Sequence, residues 1–238
     1  VNQVAKSIRD DLEANALYIK SPEHAVLLIG CDLAGLVPRR AEAAREAIAQ
    51  RTGIDPHSVI IAGTHTHAGP SVITTSYFKE IDEAYLDRLH DWLITLSEEA
   101  IGSARPGKLG WGEGAARIGY NRRCCWADGS HSMHGDARRA DFTGFEAPSD
   151  PRQIALFAKD TDDRLIAALH NNTSHPTCFY GADFYSADFP GAARALLREV
   201  LGPLPVVYLN GAFGDISIES RAGDRSPREG REQQMMRA

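Results

Sequence analysis

No run in this sequence approaches the roughly 18 or more consecutive apolar residues of a membrane helix, so no transmembrane segment is expected. An excess of positive charge is missing too. The 26 Lys and Arg face 32 Asp and Glu for a formal charge of -6, which leaves no broad basic surface for a phosphate backbone. Nucleic acid is therefore not an expected partner, and a small neutral or amphiphilic molecule fits better. Cysteine is scarce, with four in 238 residues. Cys124 and Cys125 are adjacent while Cys31 and Cys178 stand alone. That distribution has neither CxxC metal spacing nor a dense disulfide framework, so the four read mostly as structural thiols. The polar opening Val1 to Asp11 lacks the pattern of a signal peptide and does not begin with Met. The charged stretch Pro227 to Ala238 reads as an unfinished helix with no capping signal. The expectation is one domain over 1–238, soluble, truncated at its C-terminus and of open compartment.

What is present is a globular composition, 43% hydrophobic and 24% charged, enough for one sizeable core. Leu12 to Lys20 and Ala25 to Asp32 are β-prone runs joined by Ser21-Pro22-Glu23-His24, a plausible hairpin. The second is nearly continuously apolar, as when both faces of a strand are covered. Pro38 to Arg51 places Ala41, Ala44 and Ile48 at helical spacing, Gly53 ends it, and Val59 to Gly63 begins another buried strand. Such a strand-helix-strand unit favours parallel pairing. Lys79 to Ser103 reads as an amphipathic helix with Tyr85, Leu89, Trp92, Leu93 and Leu96 on one face.

Strand-like runs follow at Lys108 to Trp111 and Ala115 to Asn121. The stretch 122–151 has few core residues and reads as a long loop or lid. Gln153 to Ala158 and Leu165 to Asn171 form a strand pair turning at Thr161-Asp162-Asp163. Asp188 to Leu201 is a helix with Asp188 as N-cap and Pro190 in its first turn, and Pro205 to Leu209 is the last buried strand. The fold class expected is α/β: a mixed, largely parallel sheet flanked by helices in α/β/α layers.

Three strand ends deliver polar groups, where α/β sheets place their ligand sites. After Ile60 and Ile61 comes Gly63-Thr64-His65-Thr66-His67-Ala68-Gly69-Pro70. On extended backbone His65 and His67 face one side and Thr66 the other. Alone, such a pair is a weak motif and reads first as a surface feature rather than a metal site. His170-Asn171-Asn172-Thr173-Ser174-His175-Pro176-Thr177 follows a second buried strand. His170 lies within the strand period and reads as structural, while His175 lies beyond it, held by Pro176. Asn210 to Ser217 follows a third strand. Gly211 and Gly214 could leave N–H groups free for an oxyanion, and Ser217 could be a nucleophile or only a turn serine. Arg122 is a rigid five-donor group able to hold a carbonyl, or else a solvated strand-end arginine.

Together these residues resemble the neutral/alkaline (non-lysosomal) ceramidase family, particularly its shorter bacterial relatives. Gly63 to Pro70 looks like the family's GTHTHSGP signature, Asn121-Arg122 like its Asn-Arg pair, and His175-Pro176-Thr177 like its His-Pro-Thr element. Ser186 to Gly191 and Asn210 to Ser217 follow in the expected order. The resemblance implies a zinc-dependent hydrolase of an N-acyl amide, a ceramide-like lipid or a smaller amide, hence a place in sphingolipid metabolism. It implies His65 and His175 as zinc ligands, His67 beside the reacting water, Arg122 on substrate, and Ser217 at the family's active-site serine. Two departures stand out. The family's GD-x-S-P-N turn is Gly214-Asp215-Ile216-Ser217-Ile218-Glu219 here. Its remaining zinc ligands, a Glu and a Tyr, lie further downstream than this chain extends, as does its C-terminal immunoglobulin-like domain. Two other readings are a metal-independent serine hydrolase built on Ser217 and a non-catalytic binding or remnant module.

Overall fold

The computed structural model describes residues 4–74 and 80–218. The helix expected over Pro227 to Ala238 and the position of Glu219 lie outside these residues, as does Lys79. In chain order the elements are β1 (Ser7–Ile8), β2 (Ala14–Lys20), β3 (Ala25–Cys31), α1 (Pro38–Thr52), β4 (Val59–Gly63) and α2 (Glu83–Gly102). There follow β5 (Gly107–Ala115), β6 (Tyr120–Asn121), β7 (Arg123–Trp126), β8 (His131–Met133), β9 (Phe142–Phe145) and β10 (Arg152–Asp160). The rest are β11 (Leu165–Asn172), β12 (Phe184–Tyr185), α3 (Asp188–Leu201), β13 (Val206–Asn210) and β14 (Ile216–Ser217).

The class is α/β with mixed sheets, as expected, and its layering is richer than a single sheet. One sheet runs β2-β3-β4, with β2 antiparallel and β4 parallel to β3. A second runs β13-β11-β10-β5, parallel only between β11 and β13. Alternation along the strands places these sheets face to face. On β2, Ala14, Ala16 and Tyr18 join the core beneath α1 and α2. Leu17 and Ile19 instead pack with Ala158, Ala167 and Val207 of the second sheet. The second sheet's outer face, at Phe157, Ala168 and Val206, is covered by Leu197 and Leu201 of α3. The order of layers is helices, sheet, sheet, helix. Apolar runs such as Ala25 to Cys31 correctly signalled strands covered on both faces, but one cover is another sheet rather than a helix.

Local chemistry explains the element boundaries. Pro38 opens α1, and Gly53 closes it at φ 75° with its N–H on the Ala49 carbonyl. The Asp82 carboxylate caps α2 by accepting the Tyr85 N–H, so the helix starts there rather than at Lys79. Leu86, Leu89 and Leu93 are its buried stripe. Trp92, expected on that face, is 52% exposed because it sits one residue, about 100° of rotation, off the stripe. The two strand runs expected between residues 108 and 121 are one nine-residue edge strand, β5, and the short β6. The stretch expected as a loop or lid holds a three-stranded antiparallel sheet, β8-β7-β9, with β7 at its centre. Its core signal was weak because this small sheet buries only Cys124 and Trp126.

Candidate functional site

The two sheets bring their strand ends together. Gly30 of β3 makes this possible, since a Cβ there would stand 2.6 Å from the Tyr208 carbonyl oxygen of β13. Beyond β4 the chain stays tied to β3, with the Thr64 N–H on the Cys31 carbonyl at 2.7 Å and the His65 N–H on the Leu33 carbonyl at 2.8 Å. The Asn210 amide crosses from the second sheet to the Thr64 carbonyl at 2.6 Å.

His65 and His67 do meet, but not on extended backbone. His65 has φ 70°, a left-handed conformation that costs a non-glycine residue about 1–3 kcal/mol and that clusters at functional sites. Thr66, between them, is fully buried. Its hydroxyl donates to the Ser186 carbonyl at 2.7 Å and accepts the Ala68 N–H at 3.2 Å, clamping the loop onto the chain before α3. The Asp10 carboxylate holds that chain in turn, accepting from the Ser186 hydroxyl and the Ala187 N–H, both at 2.6 Å. Asp188, expected as an N-cap, is instead the first residue of α3 at φ 58°, its buried carboxylate accepting the Phe179 and Phe189 N–H groups.

His175, 110 positions after His65, arrives from the end of β11. Ring centroids lie 4.7 Å apart for His65 and His175, 4.9 Å for His65 and His67, and 5.3 Å for His67 and His175. One ligand nitrogen from each can be chosen so that all lie within 4.8 Å of one another. His65 Nδ1 sits 2.5 Å from the Ala34 carbonyl oxygen, and His175 Nδ1 sits 3.2 Å from the Phe213 carbonyl oxygen. A carbonyl only accepts, so each Nδ1 carries the proton and each Nε2 keeps its lone pair. His67 Nε2 is buried and has no hydrogen-bond partner among the described residues. Burial pushes all three imidazoles down: His67 to about 4, with the charges of His65 and Arg122 adding to the effect, and His175 to about 3, with Arg122 the next cause. His65 is lowered by burial against the opposing pull of the Ala34 carbonyl. The three rings are thus neutral near pH 7, the form in which imidazole binds metal.

Arg122 is anchored beside them. Its Nη2 and Nε donate to the Gly214 carbonyl at 2.7 and 3.2 Å, and its charge is felt at all three histidines. Asn121 is 4% exposed and holds the same turn, its amide donating to Asp215 at 2.8 Å. Ser217 is 3% exposed; its backbone pairs with Tyr120 in β6 and bridges to His175. His170 lies outside the cluster, 3.0 Å from the Gln153 side-chain oxygen. Three contributors had no motif to announce them. Phe213 packs its ring 5.0 Å from His65 and 4.8 Å from His175 while its carbonyl orients the latter. Tyr180 lies 5.6 Å from His67 and is half exposed, and Ala34 contributes only a carbonyl. A backbone oxygen has no residue type, so sequence alone could not point to it.

No family model matches the sequence. The neutral ceramidase of Pseudomonas aeruginosa is 25% identical over 134 residues, 54% of this chain and 19% of that protein. A solved ceramidase complexed with C2 superposes with a TM-score of 0.74 at 19% identity, covering 99% of this chain and 39% of the other. The crystal structure of neutral ceramidase from Pseudomonas aeruginosa gives 0.72 at 19% identity, covering 99% and 40%. The chain spans about a fifth of the curated relative and about two fifths of each solved structure.

Proposed function

We propose that this chain is a domain of the neutral ceramidase family and that it hydrolyses an N-acyl amide bond, of a ceramide-like lipid or a smaller amide, with zinc held by His65 and His175; the likeness to the neutral ceramidase of Pseudomonas aeruginosa supports the first part. The observation that carries the reading is the pair of pinned Nδ1 atoms. Two backbone carbonyls from different strand ends fix both rings with a free Nε2, and the rings lie 4.7 Å apart. This is the outer-shell arrangement that orients metal-ligating histidines. The donors fit the ion: neutral imidazoles suit zinc, and a partly buried site where the His67 Nε2 has no partner among the described residues favours a cation that all three rings can face. When bound, zinc supplies Lewis acidity toward the amide carbonyl and lowers the pKa of a bound water.

The chain's own residues do the rest. Arg122, held by the Gly214 carbonyl, is placed to donate to the carbonyl oxygen as negative charge builds there. His67 serves either as proton acceptor for the attacking water, the role the family resemblance gives it, or as a further nitrogen ligand. Tyr180 and Phe213 set aromatic rings beside the histidines, apolar surface that suits an acyl chain. The rival serine-hydrolase reading is disfavoured by the burial of Ser217, because an attacking oxygen must be reachable by substrate. Chelation separates the two: amidase activity on N-acyl substrates that disappears with the ion and returns with zinc supports the metal reading. Activity that survives chelation overturns it, and a chain that neither binds zinc nor turns over any amide is the non-catalytic module.

A further inference from the structure

We infer that Asp188 is a positioning residue of the site: its carboxylate holds the turn that carries His175 and Tyr180 in place against the loop that carries His65 and His67. This rests on the reading of the imidazole cluster as the functional centre and goes beyond it, since spacing and motif gave Asp188 no part except the start of α3.

Asp188 is fully buried, and its two carboxylate oxygens divide their work. Oδ1 accepts the Phe189 N–H at 2.8 Å, which serves the start of α3. Oδ2 accepts the Phe179 N–H at 3.0 Å, which reaches back to the chain behind His175. The Cys178 thiol, kept protonated by burial and by the same charge, donates to this carboxylate as well. Residues 175–182 are wound into a tight turn there. The Thr177 N–H meets the His175 carbonyl at 2.9 Å, the Tyr180 N–H the Thr177 carbonyl at 3.3 Å, and the Ala182 N–H the Phe179 carbonyl at 3.0 Å. A hydrogen bond to an ionised acceptor is about twice as strong as one between neutral groups, so the anion is a firm centre for that turn.

Two residues earlier the same stretch of chain grips the opposite loop. The Ser186 N–H donates to the Ala68 carbonyl at 2.8 Å, and the Ser186 carbonyl accepts the Thr66 hydroxyl at 2.7 Å. The Ser186 hydroxyl accepts the Asp188 N–H at 3.0 Å, which fixes the two grips relative to each other. Both histidine-bearing loops are therefore fastened to one short segment, independently of any ion. The backbone of that segment is strained. Among the described residues, His65, His134, Asp163 and Asp188 are the non-glycine residues with positive φ. His134 and Asp163 lie in exposed turns, whereas His65 and Asp188, at φ 70° and 58°, lie at the site and at the segment that fastens it. Burial also pushes the Asp188 carboxyl up, against the pull of its donors. The start of a helix requires neither feature: glycine adopts this conformation without steric cost, and an uncharged Ser or Asn caps a helix. Strain of this kind clusters at functional sites.

The test uses the full chain as wild type, Asp188→Gly, Asp188→Asn and, as a control for relief of strain alone, Asp163→Gly. Asp188→Gly removes the carboxylate and relaxes the backbone, while Asp188→Asn keeps the shape but offers one acceptor oxygen to two N–H groups and no charge. The proton on the His175 ring is located in the metal-free protein at neutral pH by long-range proton–nitrogen NMR. Zinc affinity per folded molecule is measured by competition with a chromophoric chelator, and circular dichroism checks the fold. Wild type and Asp163→Gly should keep the His175 proton on Nδ1, against the Phe213 carbonyl. Asp188→Gly should spread it over both nitrogens and weaken zinc binding by about 10–100-fold, the scale of changes to groups that orient metal-bound histidines. Asp188→Asn should fall between the two. A folded Asp188→Gly with the wild-type ring tautomer and zinc affinity makes Asp188 only the start of α3 and overturns the inference; should the glycine variant not fold, the same result in Asp188→Asn overturns it. A wild type that takes up no zinc sinks the metal reading instead, and the ring tautomers, read without metal, still decide this one.

Discussion

Two partly buried polar clusters adjoin the end of β3, and they are satisfied in different ways. One is ionic. Arg194, 4% exposed, reaches Asp32 with two donors at 2.5 and 3.3 Å and Glu13 at 3.1 Å; Arg198 takes Glu13 with two more at 2.7 and 2.8 Å. The Asp32 carboxylate also accepts the Glu13 N–H at 2.8 Å. Each charged group there is answered by an opposite one. The other cluster is three imidazoles whose group includes no carboxylate among the described residues, two held from behind by carbonyls and one with a buried nitrogen unanswered by any described residue. Closed hydrogen bonding marks a structural cluster. Converging, open lone pairs mark a place for something else.

The comparison can be broken in order of effect. His65→Ala should abolish metal uptake and any metal-dependent amidase activity while the far-ultraviolet circular dichroism stays that of the wild type; retained stoichiometric zinc would make the imidazole cluster as inert as the ionic one. Arg194→Met should do the reverse, destabilising the fold by about 3–5 kcal/mol in urea melts by leaving Asp32 charged and unpaired, with metal affinity per folded molecule little changed. Thr66→Val leaves the Ser186 carbonyl without its donor at a cost of about 1–3 kcal/mol. Because it also loosens the loop between the two histidines, metal affinity should fall by about 10-fold or more, measured by competition with a chromophoric chelator.

The fourth expectation concerns acid. The Glu13 carboxyl is pulled from 4.5 down to about 2, burial opposing and the Arg198 and Asn15 hydrogen bonds and both arginine charges prevailing. A lowered folded-state pKa means stability that is fully present above about pH 4.5 and lost as the pH falls toward 2. Burial pushes the neighbouring Asp32 carboxyl the other way, against Arg194. Glu13→Gln should flatten the acid limb of the stability curve in that window; an unchanged limb would take Glu13 out of the ionic cluster's energetics. Smallest of all, Trp92→Ser should cost about 1 kcal/mol in urea melts, since the residue is half exposed and its ring meets Tyr85 edge-on at 5.9 Å.

The two clusters also differ in how far they could be read from residues alone. His65, His67 and His175 announced themselves because each follows a buried strand, and strands of one core end near each other. Glu13, Asp32, Arg194 and Arg198 did not, because single charges scattered over some 185 positions carry no local period. The hairpin Ala14–Cys31, α1 and its glycine stop, and the turn between β10 and β11 followed from local propensity. The doubling of the sheets did not, because an apolar strand reports that it is covered and is silent about what covers it. The left-handed His65 was hidden for a similar reason. The motif suggested extended backbone, and only the pairing of its N–H with Leu33 shows the chain turning there.

The last consequence comes from where the histidines are rooted. His65 leaves β4 in one sheet and His175 leaves β11 in the other, with a glycine contact between β3 and β13 beneath them. An ion shared by those rings would be a clasp across the sandwich, gripping both halves at their open rim. At a free concentration a hundred times its dissociation constant, such a ligand adds about 2.7 kcal/mol to the folded state, so melting temperature becomes a gauge of occupancy, legible before any substrate has been found.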